Sequence, residues 1–168
     1  NKTIKRSPRE PFRTSVLQQQ ASNRFGFTPK RTMQVAQSLY AREGGGLITY
    51  IRTDSIEIDE GKVPAVRSQV ASMFGEDFVQ PRNYKNKKEA KNIQEAHGAI
   101  TPVDISLVPA DAKKILKDDE FKLYQLIWQR TVASQMKDAI FERTSIEFVP
   151  TGDESLATFS FSDQELIF

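Results

Sequence analysis

The chain has 168 residues, a formal net charge of +2, one histidine and no cysteine. That length suits one domain, or one with a small appendage, and lets roughly 70% of the unfolded surface be buried. The lack of cysteine excludes disulfides and thiolate metal sites, a lone histidine argues against zinc, and no apolar run approaches the ~20 residues of a membrane span.

Charge is spread unevenly along the sequence. Residues 144–168 hold five acids and no base, which leaves about +7 on the rest. The bases gather at Lys2, Lys5, Arg6, Arg9 and Arg13, and again at Lys85, Lys87, Lys88 and Lys91. Such clusters suit a phosphate backbone, and equally a solvated tail and an exposed loop.

The chain opens on Asn1 without a Met, as a piece of a longer protein would. Residues 1–10 read as a linker or the end of an upstream element. Thr14 or Ser15 can cap a helix with Val16, Leu17, Ala21 and Phe25 on its apolar face and a stop at Gly26. Thr28 and Pro29 open a second helix with the stripe Met33, Ala36, Leu39 and Tyr40. Two helices joined by a Gly-containing turn and followed by a strand are helix-turn-helix-like. A third helix is expected over 59–74, with Val63, Val66, Val70, Met73 and Phe74 on one face and Gly75 at its end. Residues 76–93 read as a basic loop and 95–103 as extended. The longest helix, over 118–136, turns Phe121, Tyr124, Ile127, Trp128 and Val132 inward, with Trp128 in the core. From Ala139 the period changes to two, and a turn at 151–154 leads into a returning strand.

The chemistry concentrates in Gly44-Gly45-Gly46-Leu47-Ile48-Thr49-Tyr50-Ile51-Arg52-Thr53-Asp54-Ser55. A glycine run enters an apolar segment of β character. In a strand, Tyr50 and Arg52 share a face. A phenol can attack phosphorus, and a guanidinium can hold two phosphate oxygens at once. The pair therefore points to phosphotyrosyl chemistry on a phosphodiester.

The string Leu47 to Ser55 closely resembles the active-site tyrosine motif of type IA DNA topoisomerases. Upstream, residues 11–19, 24–27, 30–33 and 36–40 are similar to the family's segment before the tyrosine. Downstream, Gln94 to Pro102 resembles its histidine motif, and Leu123 to Trp128 the helix that follows. The likeness runs from about residue 8 to residue 138. It implies a mainly α fold with a small β part (α+β). Residues 11–138 would be a helix-turn-helix/CAP-like domain bearing the tyrosine. Residues 139–168 would be part of a β-rich arch around a central hole, and residues 1–10 a linker or the end of an arch segment.

The resemblance also implies a function. The family cuts one DNA strand by tyrosine attack, leaves a 5′-phosphotyrosyl link and a free 3′-hydroxyl, passes a strand and reseals. This relaxes negative supercoils without ATP. Carried over, Tyr50 is the nucleophile, Arg52 stabilises charge on the phosphoryl oxygens, and His97 contacts the phosphate or shapes the site. Arg13, Gln18, Lys30, Arg31, Thr49, Thr53, Ser55, Lys85, Lys87 and Lys88 would contact DNA, single-stranded by preference. Asp54 reads as a turn or cap residue. The family's Mg²⁺ is held by carboxylates of an N-terminal domain that this segment would partner, so no metal ligand is expected here. The expected location is cytoplasmic, with the nucleoid.

Two positions depart from the family pattern. The histidine motif usually continues with an acid and ends in an arginine before the proline, where this chain has Gly98 and Thr101. Other readings exist. A tyrosine recombinase would need His-x-x-Arg, and Ile100 stands in the arginine's place. A non-catalytic winged-helix module would prefer duplex DNA. Within the family, topoisomerase III and the topoisomerase half of reverse gyrase are alternatives, although Leu17-Gln18-Gln19 looks more like bacterial topoisomerase I.

Overall fold

Thr14–Phe25 forms helix α1, which stops where Gly26 adopts a φ of 69° and turns its N–H back to the Ser22 carbonyl. The left-handed conformation is open to glycine without steric cost. Leu17 and Ala21 are fully buried on the inner face. The computed structural model describes residues 1–86, 97–149 and 158–167. Within them it is an α+β structure with five α-helices and a three-stranded antiparallel sheet.

Helix α2 (Pro29–Tyr40) starts as its sequence dictates, with the Thr28 hydroxyl accepting the Arg31 N–H at 3.1 Å. Its buried stripe differs from the expected one. Thr32, Val35, Ala36 and Leu39 face the core, Met33 is only partly covered, and Tyr40 is 39% exposed. Thr32 can enter the core because its hydroxyl donates to the Thr28 carbonyl at 3.1 Å, so no polar atom is stranded.

Helix α3 runs Val63–Phe74, later than expected, because residues 59–62 close a turn on themselves. The Asp59 carboxylate accepts the Gly61 N–H at 2.8 Å, and the Lys62 N–H reaches the Asp59 carbonyl at 2.9 Å. Val66 and Val70 are buried, while Met73 and Phe74 lie past the core, nearly half exposed. A short helix, α4 (Pro109–Ile115), was not expected from the sequence.

Helix α5 (Asp118–Ala133) is the hub of this part of the chain. Asp118, Asp119 and Glu120 sit at its positive end, and the Glu120 carboxylate accepts the Lys117 N–H at 3.1 Å. Leu123, Tyr124, Leu126, Ile127, Trp128, Thr131 and Val132 are buried, a wider face than one stripe because α1, α2, α3 and α4 all pack on it. Phe121 remains half-buried. The Tyr124 hydroxyl donates to the Leu107 carbonyl at 2.7 Å, and the Trp128 indole N–H to Ile105 at 2.9 Å. Both rings thus bury their bodies and tie down residues 104–108. Burial pushes the Tyr124 phenol well above its usual range.

The chain forms two compact units, Arg9–Met136 and the pair Asn1–Pro8 with Lys137–Phe168. In the second, β1 (Lys2–Arg6) pairs with β2 (Ala139–Phe148), and β2 with β3 (Phe159–Leu166), in the order β1-β2-β3. Ile146 faces Phe161 and Phe148 faces Phe159 across the β2–β3 ladder. The expected turn at 151–154 lies outside the described residues. Among the described residues no helix is long and apolar enough to cross a membrane.

Candidate active site

The glycine run does two different jobs. Gly44 and Gly45 have φ of 87° and 120°, a region that side chains strain. Gly46 is fixed by space instead, since a Cβ there would lie 2.2 Å from the Tyr40 carbonyl oxygen. That close approach lets the Leu47 N–H donate to the Leu39 carbonyl at 2.8 Å. The segment leading to Tyr50 is thereby spliced onto the end of α2.

Tyr50 does not sit on a strand, contrary to the sequence expectation. Only an isolated bridge, Ile48 with Pro102, marks β pairing here. The Val103 N–H donates to Leu47 at 3.0 Å and the Thr49 N–H to Thr101 at 2.9 Å, and there the ladder ends. The Thr49 side chain takes over: its hydroxyl accepts the Thr101 N–H and donates to the Ala99 carbonyl, both at 2.9 Å. One residue past Tyr50 the chain has changed partners. The Thr14 hydroxyl donates to the Ile51 carbonyl at 2.8 Å and accepts the Thr53 N–H at 2.9 Å. The Thr14 N–H closes the clasp on the Thr53 carbonyl at 3.0 Å. Tyr50 therefore lies where the backbone switches from residues 101–103 to the start of α1.

His97 comes to Tyr50 from far along the sequence. The two rings lie 4.6 Å apart, centroid to centroid, and tilted by 43°. On another contact, the Tyr40 ring meets Tyr50 edge-on at 5.7 Å and 67°. The Thr53 hydroxyl donates to the His97 carbonyl at 3.2 Å, and the Ala99 N–H to the Glu57 carbonyl at 2.8 Å. A Cβ on Gly98 would stand 2.8 Å from that same Glu57 oxygen. The glycine in place of an acid is thus what this close backbone approach requires. Thr101 is 3% exposed and committed to Thr49.

Tyr50 is half-buried and Arg52 exposed. Thr49 and Thr53 spend their hydroxyls on the backbone bonds just described. Ser55 is only 5% exposed, and its hydroxyl accepts from the Asn86 amide and the Glu57 N–H, both at 3.1 Å. Arg13, Lys30, Arg31, Asp54 and Lys85 are exposed, and Gln18 is half-buried on α1. Arg31 pairs with Asp119, its Nε 3.1 Å from the carboxylate. Lys87 and Lys88 lie outside the described residues. Sequence reading missed three participants. Tyr40 carried one signal, its place just before the glycine run. Thr14 carried none as a clasp, and neither did Asn86, whose side chain accepts the Ile56 N–H at 3.0 Å.

The family model for DNA topoisomerase matches residues 1–168 of this chain. The chain belongs to the type IA DNA topoisomerase family, a family of isomerases. It is 53% identical over 142 residues to DNA topoisomerase 1 of Streptomyces coelicolor, a match covering 83% of this chain and 14% of that protein. It is 42% identical over 163 residues to DNA topoisomerase 1 of Rickettsia bellii, covering 93% and 20%. The solved structure of full-length topoisomerase I from Thermotoga maritima superposes with a TM-score of 0.81 at 34% identity, over 99% of this chain and 27% of that one. The chain thus spans a fifth or less of these two curated relatives.

For this topoisomerase segment, the geometry at Gly46 makes a direct prediction. Gly46→Ala should destabilise the chain by about 1–3 kcal/mol, since the opposing atom is backbone and cannot rotate away. Gly44→Ala, with open space around its Cβ, should cost only the strain of its positive φ, about 1 kcal/mol. Urea denaturation of the two variants checks the order.

Proposed function

We propose that this chain is the tyrosine-bearing part of an ATP-independent topoisomerase that cleaves and reseals one DNA strand to relax negative supercoils. The observation that carries the reading is the packing of the His97 ring against Tyr50 at the backbone switch point, with the exposed Arg52 two residues further along the chain. In this reading the Tyr50 oxygen attacks a backbone phosphorus. The Tyr50 hydroxyl gives up its proton as its oxygen bonds to phosphorus, the bond from phosphorus to the 3′-oxygen breaks, and the freed 3′-oxygen takes up a proton to become the 3′-hydroxyl. Resealing is the same exchange reversed. The phosphodiester's energy stays in the phosphotyrosyl link, so no nucleotide is consumed. Arg52 neutralises charge building on the phosphoryl oxygens, and His97 holds the phosphate or the Tyr50 ring.

Residues 11–138 act as the tyrosine domain, with α1 and α2 as its helix-turn-helix-like opening. Residues 1–10 and 139–168 belong to a β-rich arch, a division supported by the two compact units. Among the described residues, no three His, Cys, Asp or Glu side chains are grouped to hold a metal. In this reading the family's Mg²⁺ has its ligands in the N-terminal domain, and no step above runs through it. The substrate is DNA, single-stranded at the point of cleavage, which places the protein with the nucleoid.

The purified 168-residue chain should leave negatively supercoiled plasmid unrelaxed in Mg²⁺, yet bind a single-stranded oligonucleotide better than a duplex. With about three phosphates neutralised, affinity should fall about 20-fold between 50 and 200 mM salt. Neutralising Lys85, Lys87 and Lys88 together should flatten that slope. Relaxation by the chain alone overturns the division of the site between domains. Duplex preference overturns the strand-cleaving reading in favour of a winged-helix module.

A further inference from the structure

We infer that Tyr40 is a positioning residue for Tyr50, holding the nucleophile's ring edge-on while His97 packs against it through a separate contact. The inference rests on the reading of Tyr50 as nucleophile and adds a residue to that site. Tyr40 is the last residue of α2, whose preceding turn is anchored by the fully buried Ala36 and Leu39. The end of α2 meets the segment leading to Tyr50 at two places. The Leu39 carbonyl accepts the Leu47 N–H at 2.8 Å, and Gly46 approaches the Tyr40 carbonyl closely enough to exclude any side chain. The Tyr40 backbone is therefore held at the end of a packed helix and joined to the Tyr50 segment over a very short path.

The ring contact has the geometry of a favourable aromatic pair, with centroids 5.7 Å apart and planes at 67°. Yet Tyr40 is 39% exposed, so burial does not account for a large aromatic side chain here. A free tyrosine side chain samples several rotamers, and only some aim its oxygen at a bound phosphorus. Confinement by Tyr40 and His97 removes that freedom before DNA arrives, which raises the rate without adding affinity. An edge-on pair of this kind is worth about a tenfold change in rate at most.

The test uses the full-length enzyme carrying this segment, with single-turnover cleavage of a labelled single-stranded oligonucleotide as the readout. Tyr40→Ala should cut the cleavage rate at saturating DNA about five- to tenfold, with half-saturation unchanged. Tyr40→Phe should restore the wild-type rate, because the contact runs through the ring. Tyr40→Leu keeps apolar bulk without a ring and should behave like alanine, which covers the case of an alanine variant that fails to fold. A wild-type rate in the leucine variant overturns the inference. So does a defect confined to half-saturation, which would make Tyr40 a DNA contact, or a phenylalanine variant as slow as leucine. A covalent adduct in Tyr50→Phe would instead refute the nucleophile assignment, independently of Tyr40.

Discussion

Tyr50→Phe in the full-length enzyme is expected to abolish the covalent DNA adduct while leaving folding and non-covalent binding close to wild type. The substitution removes one hydroxyl from a half-buried ring and keeps every carbon that touches Tyr40 and His97. Nothing in the packing argues for a stability loss. Chemistry is a different matter, because phenylalanine has no oxygen to bond to phosphorus and no neighbouring group can stand in at the same atom. The nearest competitor is Tyr40, whose ring centroid lies 5.7 Å from that of Tyr50. Tyr84 is the other tyrosine outside the core. Trapping with a labelled oligonucleotide on a denaturing gel, followed by peptide mapping, reads the outcome. An adduct that persists and maps to Tyr40 or Tyr84 would show that the reactive tyrosine is misassigned.

The ends of elements were more legible in the sequence than their faces. Gly26 and the Thr28-Pro29 pair state where α1 stops and α2 begins, because left-handed φ and N-capping are local chemistry. The face of α2 was misread because a threonine can be buried when its hydroxyl bonds within its own helix, as Thr32 does. Helix α4 was missed since seven residues are too few to show a period. β1 was hidden in a basic tail, as its partner β2 is more than 130 residues away and Ile4 is its one apolar side chain.

The candidate site shows the same division. Residue types at Tyr50 and Arg52 are the basis for proposing phosphoryl chemistry, but no strand aligns them. Side-chain hydroxyls of Thr14 and Thr49 replace ladder bonds there, and such substitutions leave no periodic trace. Ser55 reads as a DNA contact by its place in the motif, yet its hydroxyl is engaged by Asn86 and Glu57. Gly98 looked like a lost acid. The structure gives it a positive reason, the Glu57 carbonyl 2.8 Å from where its Cβ would be.

Arg52→Ala should slow single-turnover cleavage by about two to three orders of magnitude, in line with the loss of one transition-state donor. Arg52 is exposed, and among the described residues no carboxylate pairs with it. Its guanidinium is therefore available to a phosphate, and bound DNA would displace the water that screens it. A contact to the DNA backbone alone would act differently. It would raise half-saturation, and the defect would vary with salt, while the rate at saturating DNA held steady. A transition-state donor instead lowers the saturated rate, because the phosphoryl oxygens gain charge only as the new bond forms. Arg52→Lys separates charge from geometry, keeping the cation without the planar fork, and should recover only part of the loss. His97→Ala should fall between Arg52→Ala and the total loss in Tyr50→Phe, since it removes one of the two ring contacts on Tyr50 and, on the proposed reading, a phosphate contact as well. A drop below tenfold in Arg52→Ala, with half-saturation rising instead, would demote Arg52 from the chemistry to the binding surface.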